Sequence, residues 1–369
     1  MDSQNGLSKK FAVEHKANYY ERWVKKEGLR IISARYVPDL RKVELDDWQS
    51  RGGRGVFINH EDSAQSNDCY VCEIPPASSL NERQQLFEEM IYILEGNGST
   101  TVWNHEGKKV SFEWGPGSLF AIPLNTRFVH NNLSGKRPAK FVAVTNAPMV
   151  MNIFEDEDFI FNTGYDFKSR FNGEEDYFEA KTRVDGFYLD TNFVSDVRTL
   201  KLVTAKERGG GGGHIRFNLS RGTMNAHISE FAVGKYKKGH RHGPGAFVII
   251  LSGSGYSLMW PEGSGYNRYD WHDGTLITPP NMWFHQHFNT GRTNARYLAL
   301  KYEGTAIRNE QGVPKAWISR REGGDQIDYS DEDPYVRELF KSELEKNGVE
   351  FLMQEEYDKE LVQLSTSKK

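Results

Sequence analysis

The residues of this chain best placed to do chemistry lie between Gly234 and Asn289. Two His-x-His pairs stand there, His240 with His242 and His285 with His287, the first followed by Gly-Pro-Gly-Ala246. On a β-strand residues i and i+2 face the same side, so each pair presents both imidazoles to one space. Neutral imidazole is the commonest metal ligand, and two converging pairs predict a bound ion. His287 has three open readings: a fourth ligand, a hydrogen-bond partner to bound substrate or O2, or a general acid/base.

Around these histidines, Tyr256, Trp260 and Trp283 are the aromatic side chains expected to wall a substrate pocket, with Ala246 and Gln286 also at its edge. Gln286 and Arg241 fall on the opposite strand parity and suit support behind the ligands or the surface. Arg216, Arg268 and Arg296 are candidates to meet a substrate carboxylate.

Imidazoles that must converge need a rigid frame, and composition indicates its kind. The chain of 369 residues has 22 Phe, 17 Tyr and 8 Trp, with 35 Gly dividing its apolar runs into short segments. That pattern predicts an all-β protein of many short strands. A net charge of -4 with interleaved signs argues against a nucleic-acid partner and for a small-molecule one. No apolar run approaches the ~20 residues that span a bilayer, and Met1 to Gly6 lack the plan of a signal peptide, so no membrane partner and a cytoplasmic location are expected. Cys69 and Cys72, spaced by three in a strand-like run, point to opposite faces and lack a second pair to complete a zinc site.

The frame is duplicated. Gly96, Trp103, Trp114, Gly117, Leu119, Pro123, His130 and Asn132 each recur 157 positions later, from Gly253 to Asn289. A constant offset without gaps predicts two copies of one β module. At that offset His240, His242 and His285 fall on Arg83, Gln85 and Phe128, and Ala246 on Glu89, so the first copy is expected to be metal-free. The expected division is an N-terminal extension over 1–55 with a helix around Tyr19 to Val24 ending at Gly28, a first module over 56–150, a connection over 151–214, a second module over 215–305 and a helical tail over 306–369. The glycines following Arg208, Gly209 to Gly213, read as a flexible link. In the tail, Asp333, Pro334 and Asn347-Gly348 bracket one helix, and a second is expected from Gln354 to Leu364.

The spacing of Gly234, His240, His242, Ala246 and Gly253, then Gly274, Pro280, His285 and Asn289, resembles the two motifs of the cupin superfamily. The duplication resembles a bicupin, which implies two tandem double-stranded β-helix (jelly-roll) barrels and homo-oligomers. Where most cupins place a Glu ligand this chain has Ala246, and the His-Arg-His run is similar to that of gentisate and salicylate 1,2-dioxygenases. That likeness implies Fe(II) held by His240, His242 and His285 without a carboxylate. Three neutral imidazoles leave the ion its full charge for an anionic chelating substrate, and open positions on one side let substrate and O2 bind together. The function so implied is a non-haem Fe(II) dioxygenase of an aromatic hydroxylated acid, with O2 as co-substrate. The alternatives are an O2-independent isomerase, decarboxylase or lyase using Mn, Zn or Ni, and a non-catalytic ligand-binding bicupin.

Overall fold

The computed structural model describes residues 16–59, 65–179, 183–204 and 210–366. Within them two β barrels stand in tandem, each made of a large sheet facing a three-stranded one. This is the all-β, two-barrel architecture expected. In the first barrel the small sheet runs Arg127–Asn132, Gly98–Trp103, Lys109–Trp114; in the second it runs Asn267–His272, Ser254–Trp260, Phe284–Asn289. The large sheets are centred on Ala139–Thr145 and Ala295–Tyr302, each paired on both sides by antiparallel neighbours.

Strand alternation explains how this chain fills two barrels and the space between them. One face of each large sheet points inward; the other faces meet in a shared core in which Val56, Val71 and Val142 of the first copy join Ile228, Ile249 and Leu298 of the second. Cys69 lies in that shared core, while Cys72 lies in the cluster inside the first barrel, on opposite faces as their spacing requires; both are buried free thiols.

The segments expected as extension and connection contribute strands. Ile31–Ser33 runs parallel to Gly53–Asn59 in the first large sheet, but Tyr36–Val37 crosses to pair with Leu276–Ile277 of the second. Phe193–Val194 makes the reciprocal crossing, onto Leu119 and Phe120 of the first. Each arm is locked alike. Asp39 accepts from the Arg41 backbone and guanidinium, and Leu40 N donates to Gly274 O at 2.9 Å; Asp196 and Arg198 repeat this, with Val197 N donating to Gly117 O at 2.9 Å. The two barrels therefore exchange edge-covering arms.

Of the glycine run, Arg208 and Gly209 lie outside the described residues. Gly213 begins the strand Gly213–Asn218, and a Cβ on Gly212 would run into the Glu230 carbonyl. A flexible link is thus corrected to a close backbone crossing that only glycine permits.

The N-terminal helix spans Tyr19–Glu27, with an Asn18–Glu21 capping box and Gly28 in the left-handed region, and buries Tyr20, Trp23 and Val24. The tail forms helices Pro334–Asn347, capped by Asp333 and Gly348, and Gln354–Thr366. Val336, Phe340 and Leu344 pack on the outer face of the second small sheet. No described helix is long and apolar enough to cross a membrane.

Candidate metal centre

His240 and His242 lie on the segment leading into strand Phe247–Ser252, and His285 lies on strand Phe284–Asn289. Backbone hydrogen bonds tie the two together: His240 N donates to His285 O at 3.1 Å, and His285 N to His240 O at 2.9 Å. Met282, in left-handed conformation, donates its N–H to His242 O at 3.0 Å, fixing the turn before the strand against the ligand segment. The rings of His240 and His242 lie 4.4 and 4.7 Å from that of His285, and the three ligand nitrogens fall within 4.8 Å of one another.

Each ring is oriented by a backbone carbonyl at Nδ1: Lys238 O at 3.3 Å for His240, Gly243 O at 2.8 Å for His242, Trp283 O at 3.2 Å for His285. A carbonyl oxygen only accepts, so Nδ1 carries the hydrogen and Nε2 is the nitrogen that would ligate an ion. The donor set therefore fits a divalent ion that accepts imidazole. Among the described residues no carboxylate or thiolate joins the cluster.

His287 lines the same cavity, its ring 5.7 Å from His285 and 5.2 Å from Tyr297. Its Nδ1 bonds Ser257 Oγ at 2.7 Å, and that oxygen accepts from Trp271 Nε1 at 3.1 Å. His130, Thr100 and Trp114 repeat the arrangement in the first barrel. Nδ1 is thus committed to the barrel frame, and Nε2 is the nitrogen of His287 that a substrate would meet.

The cavity measures about 60 Å³. Its wall also carries buried Arg216 and Lys301, together with His214 and His227. Arg216 Nη1 reaches Tyr188 Oη at 3.2 Å and lies 3.6 Å from Glu303 Oε1, while its buried Nε has no hydrogen-bond partner. Trp317, with Ile307 and Pro314, roofs the space, its ring 5.8 Å from the Arg216 guanidinium carbon. The one acidic side chain on the wall, Asp325, is already paired with Arg241 at 2.7 Å. A wall bearing cations focuses a positive potential on a ligand held in the cavity.

The expected aromatic wall is placed elsewhere. Ser257 and Met259 lie opposite His287 and His285 in register, so alternation sends Tyr256 and Trp260 to the other face. There Tyr256 stacks on Phe288 at 4.6 Å and Trp260 on Phe284 at 5.8 Å, in the cluster that receives the tail helix. Trp283 packs at the edge of the cluster of Val248, Ile250 and Ile277, with the Arg35 guanidinium over its ring at 4.6 Å. Gln286 also faces away, donating to Lys237 O at 2.9 Å and Glu332 Oε1 at 2.7 Å. Of the residues expected at the pocket edge, Ala246 alone lines the cavity. Arg268 pairs with Asp270 and Glu343, and Arg296 with Glu230 and three carbonyls, leaving Arg216 as the arginine of the three that reaches the site. Sequence reasoning missed Lys301, His214, His227 and Trp317. The available signal was the alternation His214-x-Arg216, which puts both on one face of a strand entering the second barrel.

The register of the first copy follows the second. Arg83 and Phe128 form the bridge that His240 and His285 form, with hydrogen bonds of 3.0 and 2.8 Å, and left-handed Asn125 donates to Gln85 O as Met282 does to His242 O. The side chains at these positions supply no ligand set.

No protein-family model matches the chain, and no curated protein matches it. Among solved structures, one on the substrate binding mode and reaction-specificity switch of oxalate decarboxylase shares 12% identity, covering 73% of this chain and 77% of that one at a TM-score of 0.49. A deletion mutant of Bacillus subtilis oxalate decarboxylase shares 14% over 73% and 77%, at 0.48. A structure from work on the Mn(II) centres of the same enzyme shares 13% over 73% and 78%, at 0.49. These neighbours are decarboxylases, not ring-cleaving dioxygenases. Likeness at this level carries nothing about chemistry, which rests on the residues of the site.

Proposed function

We propose that the chain is a metal-dependent enzyme acting on a small anionic hydroxy or oxo acid in its second barrel, as a decarboxylase, lyase or isomerase. The observation that carries this reading is a three-imidazole cluster in a cavity that Arg216 and Lys301 also line. His240, His242 and His285 would hold Mn, Fe, Zn or Ni through Nε2, and such an ion supplies a Lewis acid that polarises bound oxygens. The remaining work belongs to the protein. Arg216 and Lys301 anchor a carboxylate; His287, held at Nδ1 by Ser257, is placed to hold or move a proton at Nε2; and Trp317 keeps water out. The size of the cavity supports a small acid, since about 60 Å³ is well below the ~150 Å³ that accommodates benzene in a protein core.

A second reading, an Fe(II) dioxygenase of a hydroxylated acid with O2 as co-substrate, is favoured by one observation. Ala246 lines the cavity where a carboxylate ligand would stand, leaving the neutral nitrogen set and its open positions to substrate and O2. Protein reconstituted with Fe(II) or Mn(II) is offered small hydroxy and oxo acids and hydroxybenzoates, with and without O2, while acid loss, CO2 and O2 are followed. Turnover that persists without O2 supports the first reading, and turnover that consumes O2 in step supports the second. A loaded metal without turnover under either condition contradicts both and leaves a ligand-binding role.

A further inference from the structure

The interior of the first barrel holds a side chain that the proposed function does not use. Arg51 lies in the turn between Asp46–Trp48 and Gly53–Asn59, where its carbonyl accepts from Asn81 N at 2.7 Å. The residue is 2% exposed, and none of its three guanidinium nitrogens has a hydrogen-bond partner among the described residues. It rests over the faces of Phe128 at 5.6 Å and Trp48 at 5.9 Å. Phe128 stands where the second barrel has His285, so this cation occupies the neighbourhood that the metal cluster takes in the other copy.

A second cation lies close by. Arg83, at the position of His240, is half-buried among the rings of Trp23, Phe87 and Phe161 at 5.3–5.7 Å. Around Arg51, by contrast, the faces of Phe128 and Trp48 meet the guanidinium from above and leave its buried in-plane N–H groups unanswered. The nearby acids answer to neutral donors instead. Glu89 accepts from Tyr70 and from Gln85 Nε2, Asp68 from Tyr20 and Thr145, and Glu27 from Trp48 Nε1 and Ser50. Burial pushes the Glu89 carboxyl up to about 7 even with Arg51 nearby.

His130 Nε2 and Gln85 Oε1 are also buried there without partners. Thr100 Oγ1 accepts from Trp114 Nε1 and bonds His130 Nδ1; with the hydroxyl donating in that second bond, the imidazole hydrogen would sit on Nε2 as a further donor. Buried donors in native proteins are paired. The buried Arg51 guanidinium, with half-buried Arg83 at the edge of the same barrel, repels a metal cation and matches the in-plane lone pairs of a planar anion.

We propose that the first barrel is an anion site, taking a small planar oxyanion such as a one-carbon carboxylate between Arg51 and Arg83, with His130 Nε2 as third donor. The duplication has then yielded a cation-binding barrel and an anion-binding one. The probe is nitrate, titrated calorimetrically into the full-length, metal-loaded protein at constant ionic strength, together with bromide in crystals located by its anomalous scattering. The expected result is one saturable nitrate site per chain, weakened about tenfold or more in Arg51→Met and in Arg83→Met and unchanged in Arg216→Met, with a bromide between the two guanidiniums. Three results would overturn it: no saturable binding, binding lost in Arg216→Met but kept in Arg51→Met, or water alone in the first barrel. If Arg51→Met does not fold, the bromide position and the Arg83→Met titration decide.

Discussion

At the scale of residues, the chemistry turns on which ring nitrogen faces which way. His240, His242 and His285 were legible because a two-residue spacing has one geometric consequence on a strand, and because the duplicated offset named their counterparts. The pocket aromatics were not legible. Tyr256, Trp260 and Trp283 carry the right chemistry, but only the register Ser257 to His287 and Met259 to His285 decides which face they take, and register is a property of the paired strands. Arg216→Met is expected to raise KM for an acid substrate about tenfold or more while changing kcat less, and equal loss in both would contradict an anchoring role. His287→Gln is expected to lower kcat by about 10²–10⁴-fold with metal content unchanged, and loss of metal would instead make it a ligand. Arg83→His, Gln85→His and Phe128→His together are expected to leave metal content unchanged, because Arg51 repels a cation there; adding Arg51→Met is expected to create a second site. Metal analysis of both variants checks this.

At the scale of elements, the tail helix Pro334–Asn347 was readable to the residue from Asp333, Pro334 and Gly348, since capping is local chemistry. What the helix covers was not local. It seals the outer face of the sheet that carries His285, and Glu332 just before it accepts from Gln286 and Tyr236 on that side. Phe340→Ala, at a fully buried position, is expected to cost about 3–5 kcal/mol, read by denaturant unfolding. The Arg268 and Lys346 side chains hold the Glu343 carboxyl down at about 2, from an ordinary 4.5. A depressed carboxyl contributes stability that is complete above its unfolded pKa and is lost as pH falls through the folded one. Helix attachment should therefore weaken as pH drops from about 4.5 to about 2, and Glu343→Gln should remove that part of the acid dependence of unfolding. An unchanged acid profile would contradict this attachment.

At the scale of the molecule, two barrels back to back were legible from the repeat, but their exchange of arms was missed. Asp39 and Arg41 recur as Asp196 and Arg198 at the same offset of 157. The signal was present, yet the surrounding segments share little else, and a short match gains meaning only when both copies are seen to cover the edge of the other barrel. Leu40→Ala is expected to destabilise by about 2–5 kcal/mol. Hydrogen exchange should rise first in the second barrel, whose edge strand Leu276–Ile277 the arm covers. Faster exchange confined to the first barrel would contradict the crossing.

A single ion per chain, held by three imidazoles of the second copy, is what distinguishes the two barrels in this reading. Metal content per chain tests it most directly, measured on the full-length protein and on His240→Ala, His242→Ala, His285→Ala and His130→Ala. About one ion per chain is expected in the parent, a small fraction of that in the first three variants and no change in the fourth. Two ions per chain, or retention in the His240 and His285 variants, would contradict it.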